Sequence, residues 1–455
     1  MFGSQDMTTG VIWRRLAAFS MPLLIGNVVQ QLYSAADSVV VGRFVGDTAL
    51  AAVGASLPLL NMLLILFMGV STGTGIMVAQ YYGARDRERL SKTVGSTLVL
   101  LLLTSAAIMA VGPLVTMPVL RLTNTPDSVI GPCAEYLSIL FAGISGIAFY
   151  NGISGILRGV GDSASPLVFL LITCAMNIVL DVWFVAGLGW GVAGAAWATV
   201  ISQWASSALC LWRLARMRGA IDLSIRLIRL DKALCLEIAR LGLPAAMTQL
   251  VFSFANFVIQ SLVNSFGDMV LTCCTIVTRV DGFAMMPNFT FSMAMSTFVG
   301  QNVGAGRLDR AERGTKACLA MGVSVSAAIV GLTMLLGRAM IGVFTGTGEV
   351  ISLSYRMMCI LTPGYVAVSV MQILSGAMRG AGDSVSPMWI SIITTVAIRT
   401  PAAYLLAFLT RSDAYPVGRP EMLHVSMLIA CVLGAGLSYA LYRRGAWRGK
   451  RLVGL

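Results

Sequence analysis

A chain of 455 residues that is 57% hydrophobic and only 11% charged cannot be a soluble globular domain, where about a quarter of the residues carry charge. Its formal charge of +12 rests on few residues and reads as a topological bias with anionic-lipid contact, not as a nucleic-acid-binding surface. Nine cysteines with no C-x-x-C pair and a single histidine, His424, argue against a zinc site or a disulfide framework.

Apolar runs of about 20 residues recur along the whole length, the signature of membrane-spanning helices. The fold class expected is an all-α integral membrane protein with twelve spans, near 16–41, 50–80, 93–118, 134–157, 165–186, 190–214, 236–264, 270–300, 315–344, 353–378, 386–409 and 422–442. The first run is too long for a signal-peptide core and has no small-residue cleavage pattern, so it reads as a mature helix. With the N-terminus placed inside, 24 of the 32 basic residues fall on one side, in blocks from Arg14 and Arg15 to Arg448, Lys450 and Arg451. The positive-inside rule then predicts cytoplasmic termini.

The segment GILRGVGDSASPL (155–167) returns as GAMRGAGDSVSPM (376–388), with eight of thirteen positions identical at an offset of 221. The same offset relates Gln80 to Gln301, Gly83 to Gly304 and Gly46–Asp47 to Gly267–Asp268, and Pro22 agrees with Pro244 to within one residue. A duplicated six-helix unit follows: an N-terminal lobe 1–212, a cytoplasmic linker 213–235 and a C-terminal lobe 236–455. Six spans per unit give both the same orientation, hence a pseudo-twofold axis along the membrane normal. The linker spacing Ile221, Leu223, Ile225, Leu227, Ile228 suits a short surface helix. The RGxGDSxSP segments read as tight turns in which Asp–Ser caps the next helix and Pro166 starts it, in preference to a gate made of Arg158 and Asp162.

No GxxxxGK[ST] loop occurs, so a pump of this sequence draws on an ion gradient. Three carboxylates, Asp37, Asp181 and Asp281, sit inside spans, where a charge costs about 2.5–3.5 kcal/mol even on the lenient insertion scale. Asp181 lies in MNIVLDVWFV with no neutralising neighbour in sequence. Counted from the outer span ends, Asp37 and Asp181 are about 6 and 8 Å deep, and so level with one another. Tyr33 and Asn177 lie one turn deeper on the same helix faces, and Thr199 descends to that depth on the sixth span. Such a set could bind Na⁺ with hard oxygen ligands or hold one proton between two acids. In the second half positions 37 and 181 map near Val258 and Ala402, so the acids are not repeated. That half instead carries Asp281 and Arg399 at matching depth, read as a polar pair that is either a fixed ion pair or a substrate contact, with Arg279 as rival partner for Asp281.

These residues resemble the multidrug and toxic compound extrusion (MATE) family over nearly the whole chain. The similarity is carried by MPLLIGNVVQQLYSAADSVVVGRFVGDTALAAVG in the first span, VAQYYGARDRERL after the second, RGVGDSASP after the fourth, and their second-half echoes. It is closest to the DinF-type branch, whose first-half cation site Asp37, Asn177, Asp181 and Thr199 match. The resemblance implies two V-shaped lobes and export of cationic or amphipathic compounds in exchange for H⁺ or Na⁺, with no other cofactor. It places Gln30, Asn151 and Leu170 at first-half substrate contacts and Pro22 at a bend of the first helix. Another branch uses acids in the second half, but here Gln372 stands at the centre of the tenth span, so the coupling ion, Na⁺ included, is assigned to the first half.

The nearest rival is a lipid-linked saccharide flippase, disfavoured by first-half spans that offer acids and almost no basic residues. A channel needs no bistable lobes, and an enzyme would need a nucleophile with a base, which is not found. The expected setting is a bacterial inner (plasma) membrane, with lipids and a small-molecule substrate as partners and a monomeric state.

Overall fold

The computed structural model describes residues 3–123, 125–217, 219–224, 227–413, 415–450 and 452, apart from the side chains of 34–36, 38 and 47. Among them the backbone is helical, with only an isolated bridge between Ser412 and Tyr415. The first six spans are α1 (Ile12–Phe44), α2 (Asp47–Ala84), α3 (Arg87–Leu122), the bent pair α4 (Asp127–Ala142) and α5 (Ile144–Gly159), α6 (Ala164–Asp181) with a π-turn Val182–Gly187, and α7 (Gly191–Ala215). The second six are α8 (Lys232–Ser265), α9 (Asp268–Gly304), α10 (Leu308–Gly342), the bent pair α11 (Gly348–Leu361) and α12 (Gly364–Gly380), α13 (Val385–Ile392) joined through a π-turn Ile393–Arg399 to α14 (Thr400–Leu409), and α15 (Met422–Arg444). By length and composition nine described stretches suffice to cross a membrane, or eleven with each bent pair taken as one span. The twelfth is α7, 25 residues long but diluted by alanine, glycine and serine.

The chain divides into two compact units. Unit 1 comprises Met1–Asp6 and Met21–Leu243, and unit 2 comprises Met7–Ser20 and Pro244–Leu455. The divisions fall beside Pro22 inside α1 and at Pro244 inside α8, where proline removes a backbone donor from the helix. The bends in the fourth and tenth spans, 52° and 43°, fall at Gly143 and at Pro363–Gly364. Gly143 and Gly364 are one repeat apart.

Each unit is built around the same clasp. In unit 1 the Ser71 hydroxyl donates to the Asn151 carbonyl (2.8 Å) and accepts from Arg158 Nη2 (3.2 Å). In unit 2 Ser292 donates to the Gln372 carbonyl (2.7 Å) and accepts from Arg379 Nη2 (2.7 Å). All six positions obey the 221-residue offset. Glycines let the backbones meet there: a Cβ on Gly155 would lie 2.6 Å from the Ser71 carbonyl oxygen, and one on Gly376 2.3 Å from that of Ser292. Close approach through small residues with buried hydrogen bonds is how helices associate where lipid removes the hydrophobic drive between them. Consistent with such a solvent, Leu114, Phe257 and Leu335 point outward while Gln80, Asn177, Asp181 and Gln301 are fully buried.

The RGxGDSxSP segments are tight turns with helix caps. Asp162 Oδ1 accepts from the Ser165 backbone N–H (3.0 Å) and Oδ2 from the Ser165 hydroxyl (2.7 Å); Asp383 treats Ser386 the same way at 3.3 and 2.6 Å. Arg158 is not the partner of Asp162. Arg213 is, at 2.9 Å, and Lys450 plays that part for Asp383 at 3.2 Å. Because Asp162 is wholly buried, Arg213→Ala leaves an uncompensated carboxylate and is expected to cost about 3 kcal/mol, seen as a lower unfolding midpoint in detergent. Lys92→Ala, which loses only a solvent-exposed pair with Glu88, is expected to leave the midpoint unchanged.

The surface helix expected between the lobes does not form among the described residues; Ile225 lies outside them. The described residues between Met217 and Asp231 are irregular and are fastened to the first turns of α3. The Asp222 N–H donates to the Ser91 hydroxyl (2.9 Å), and the Ser96 hydroxyl donates to the Arg229 carbonyl (2.9 Å). Ile221 is buried, and the Leu227 carbonyl rests where a Cβ on Gly95 would be, 2.1 Å away. Backbone groups that find partners on α3 have less to gain from helical hydrogen bonds.

Candidate functional site

The site in unit 1 begins with how α1 is held. Val40 and Val41, one turn beyond Asp37, join a buried cluster with Ala49 and Val53 of α2, Tyr136 and Leu140 of α4, Val185 of the π-turn, and Val192, Ala195, Ala196 and Val200 of α7. This apolar layer fixes the end of α1 against four neighbours, and the polar residues occupy the layer just before it along α1. On the partner side α6 ends at Asp181, where the helix widens into the π-turn, a frequent device at functional sites. Trp190 stacks on Phe184 with ring centroids 5.0 Å apart, and its backbone N–H donates to the Phe184 carbonyl (3.0 Å), closing that end.

Tyr33, Asp37, Asn177, Asp181 and Thr199, matched in depth by counting residues, converge. The Asp37 and Asp181 carboxyls are close enough to interact directly. Asn177 donates to Asp181 Oδ2 (2.9 Å) and accepts from the Thr199 backbone N–H (3.2 Å). The Tyr33 and Thr199 hydroxyls are 3.5 Å apart. Asp181 and Asn177 are fully buried and Asp37 is half-buried. Each carboxyl keeps a buried Oδ1 with no hydrogen-bond partner among the described residues.

Two carboxyls this close can share a hydrogen bond when one of them carries a proton. Without it the two charges repel across a medium that screens them poorly. The two orphaned Oδ1 atoms, with the hydroxyls of Tyr33 and Thr199 beside them, also form a hard-oxygen set suited to Na⁺. Among the described residues no three His, Cys, Asp or Glu side chains cluster, so the donor set does not suit a transition metal.

Sequence reasoning passed over Tyr136 of α4, which lies in the field of Asp37, Tyr33 and Asp181. A phenol in an apolar run carries no signal of its own. Of the residues assigned to substrate by resemblance, Leu170 approaches α1 at Gly26, where a Cβ would stand 4.0 Å from its Cδ2. Asn151 donates its side-chain N–H to the Ile147 carbonyl of its own helix (2.9 Å), and Gln30 is exposed on α1 two turns before Asp37. Pro22 lies inside α1, which runs unbroken from Ile12 to Phe44.

In unit 2, Asp281 of α9 and Arg399 feel one another's charge but are not at ion-pair distance. Arg399 Nη1 instead donates to Asn256 Oδ1 of α8 (3.0 Å), and Asp281 lies against Tyr365 of α12. Arg279 is exposed. Asn256 was not singled out from the sequence, because the repeat offset places Val258, two residues on, opposite Asp37.

The MatE family model matches the chain twice, over residues 22–183 and 244–405. The chain is 29% identical over 461 residues to the probable multidrug resistance protein YoeA of Bacillus subtilis (strain 168), covering 99% of this chain and 98% of that protein. Among solved structures, a MATE transporter in the bent conformation is 26% identical with a TM-score of 0.90 over 97% of both chains. A MOP-superfamily transporter from Pyrococcus furiosus Vc1, reported to have a binding pocket of reversed polarity, is 25% identical with a TM-score of 0.88 over 97% of both. With one match in each half and two six-helix units of the same design, the chain belongs to the MatE family of membrane transporters and is not an enzyme.

Proposed function

We propose that this transporter is a secondary active antiporter that exports cationic or amphipathic organic compounds in exchange for protons entering through Asp37 and Asp181. The observation that carries the reading is the close pair of carboxyls, half-buried Asp37 and buried Asp181, with Asn177 bracing the second. Deprotonated, the pair is anionic and unit 1 attracts a cation. Protonated, it is neutral and releases one. The linkage is reciprocal, so each ligand weakens the other by the same factor. The names borne by relatives such as YoeA support multidrug compounds as the substrate class. The chain is assigned to the inner (plasma) membrane as a monomer, with both termini cytoplasmic by the distribution of its basic residues.

A second reading, Na⁺ in place of H⁺, rests on the two unpartnered Oδ1 atoms with the Thr199 hydroxyl nearby. Proteoliposomes loaded with ethidium separate the two. A proton gradient alone is expected to drive efflux, and a Na⁺ gradient at equal pH to drive none. The converse assigns the site to Na⁺, and efflux under neither gradient removes antiport.

A further inference from the structure

We propose that Arg399 anchors a second ligand site, in unit 2, that takes the carboxylate of a zwitterionic or anionic organic compound. It stands apart from the cation chemistry proposed above, whose residues all belong to unit 1.

The two units make the same polar tie between their first and fifth spans, with opposite charge. In unit 1 the tie is Asp37 to Asp181, which Asn177 of the same helix braces. In unit 2 it is Asn256 of α8 to Arg399 at the end of the π-turn. Arg399 is one residue past the repeat partner of Asn177, and Asn256 two residues before that of Asp37, so the helices meet at the same level. Where unit 1 concentrates carboxyl oxygens, unit 2 concentrates N–H donors.

The surroundings of Arg399 are incompletely satisfied. What holds the guanidinium is a neutral amide, and its buried Nε has no partner among the described residues. Asp281 acts on it only through space. The Tyr365 hydroxyl, 1% exposed, and His424 Nδ1, in a residue 8% exposed, are buried without partners as well. His424 is close enough to interact electrostatically with Arg399, and Tyr365 with Asp281. Four unpaired polar atoms on α9, α12, the π-turn and α15 thus collect in one region, although buried polar groups are ordinarily hydrogen-bonded.

A half-buried guanidinium inside a membrane span, without an adjacent carboxylate, is costly unless an anion arrives to pair with it. The group that best fits its planar fork is a carboxylate, bound through two parallel N–H···O bonds. Half-buried Arg399, Asp281 and Asn256 leave the region reachable. Asp281 balances the charge while the site is empty and faces the cationic part of a zwitterion when it is filled.

The test uses two dyes that differ in one group: rhodamine B, a zwitterion with a free carboxylate, and its ethyl ester, a plain cation. Binding to the full-length protein in detergent is followed by fluorescence anisotropy against protein-free micelles. Arg399→Gln is expected to weaken rhodamine B by about tenfold or more, the worth of a charged hydrogen bond, and to leave the ester within about twofold. Asn256→Asp supplies a carboxylate to the guanidinium from within. It is expected to exclude rhodamine B alike without touching the ester, in a chain whose packing is unchanged even if Arg399→Gln fails to fold. If either folded variant shifts both dyes equally, or shifts neither, Arg399 has only a structural role and the proposal is overturned.

Discussion

Asp37→Asn and Asp181→Asn are each expected to reduce gradient-driven efflux to the level of protein-free liposomes while leaving the protein folded. The amide has the shape of the carboxyl and can still form the contact across the site, and at position 181 its oxygen can still accept from Asn177. What it cannot do is alternate between charged and neutral forms. Coupling between sites typically spans about 5–150-fold in affinity. With one acid replaced, the pair can no longer share a proton, and that factor should collapse toward unity. Each variant is therefore expected to bind ethidium with an affinity that no longer depends on pH, whereas wild type binds more tightly as pH rises and the pair loses its proton. Ethidium titrations at several pH values, beside efflux assays of the same preparations, measure both effects. Normal pumping by both variants would move the coupling site away from unit 1.

The largest effect on stability is expected from Gly376→Val. A Cβ at Gly376 would stand 2.3 Å from the Ser292 carbonyl oxygen, a backbone atom that cannot swing aside. α12 and α9 would have to separate, which breaks the Ser292–Gln372 hydrogen bond (2.7 Å) and strands the half-buried guanidinium of Arg379. Overpacking together with a lost buried hydrogen bond gives a cost of about 3 kcal/mol or more. Gly155→Val is expected to do the same to unit 1, where the new Cβ would stand 2.5 Å from Ser71 Oγ. Gly436→Ala meets nothing within 4 Å and serves as the control, neutral or slightly stabilising. Thermal unfolding followed by size-exclusion chromatography in detergent reads all three. A Gly376→Val protein as stable as wild type would mean that the close approach of α9 and α12 is not what holds unit 2.

Much of this was legible in the chain. Apolar runs fixed where the spans lie, and the thirteen-residue echo at 155 and 376 revealed the duplication, because both signals depend only on composition and spacing. The convergence of Asp37, Asn177, Asp181 and Thr199 followed from depth, since a helix rises uniformly and residues at equal depth on neighbouring spans can meet. What depth cannot give is azimuth. That is why Tyr136 went unnoticed, and why Arg399 was matched to Asp281 when its hydrogen bond goes to Asn256. The breaks at Gly143 and Pro363–Gly364 and the π-turns were also missed, because the apolar pattern runs through them without interruption. The linker misled for another reason: its apolar alternation suited a surface helix, but the serines of α3 satisfied its backbone first.

The most direct test of the coupling claim is a count of protons released when ethidium binds to the purified protein in weakly buffered detergent solution. Wild type is predicted to release about one proton for each cation bound, and Asp181→Asn none, because the two ligands compete for the same charge. Ethidium binding that releases no proton from wild type, or that releases as many from the variant, would contradict the account.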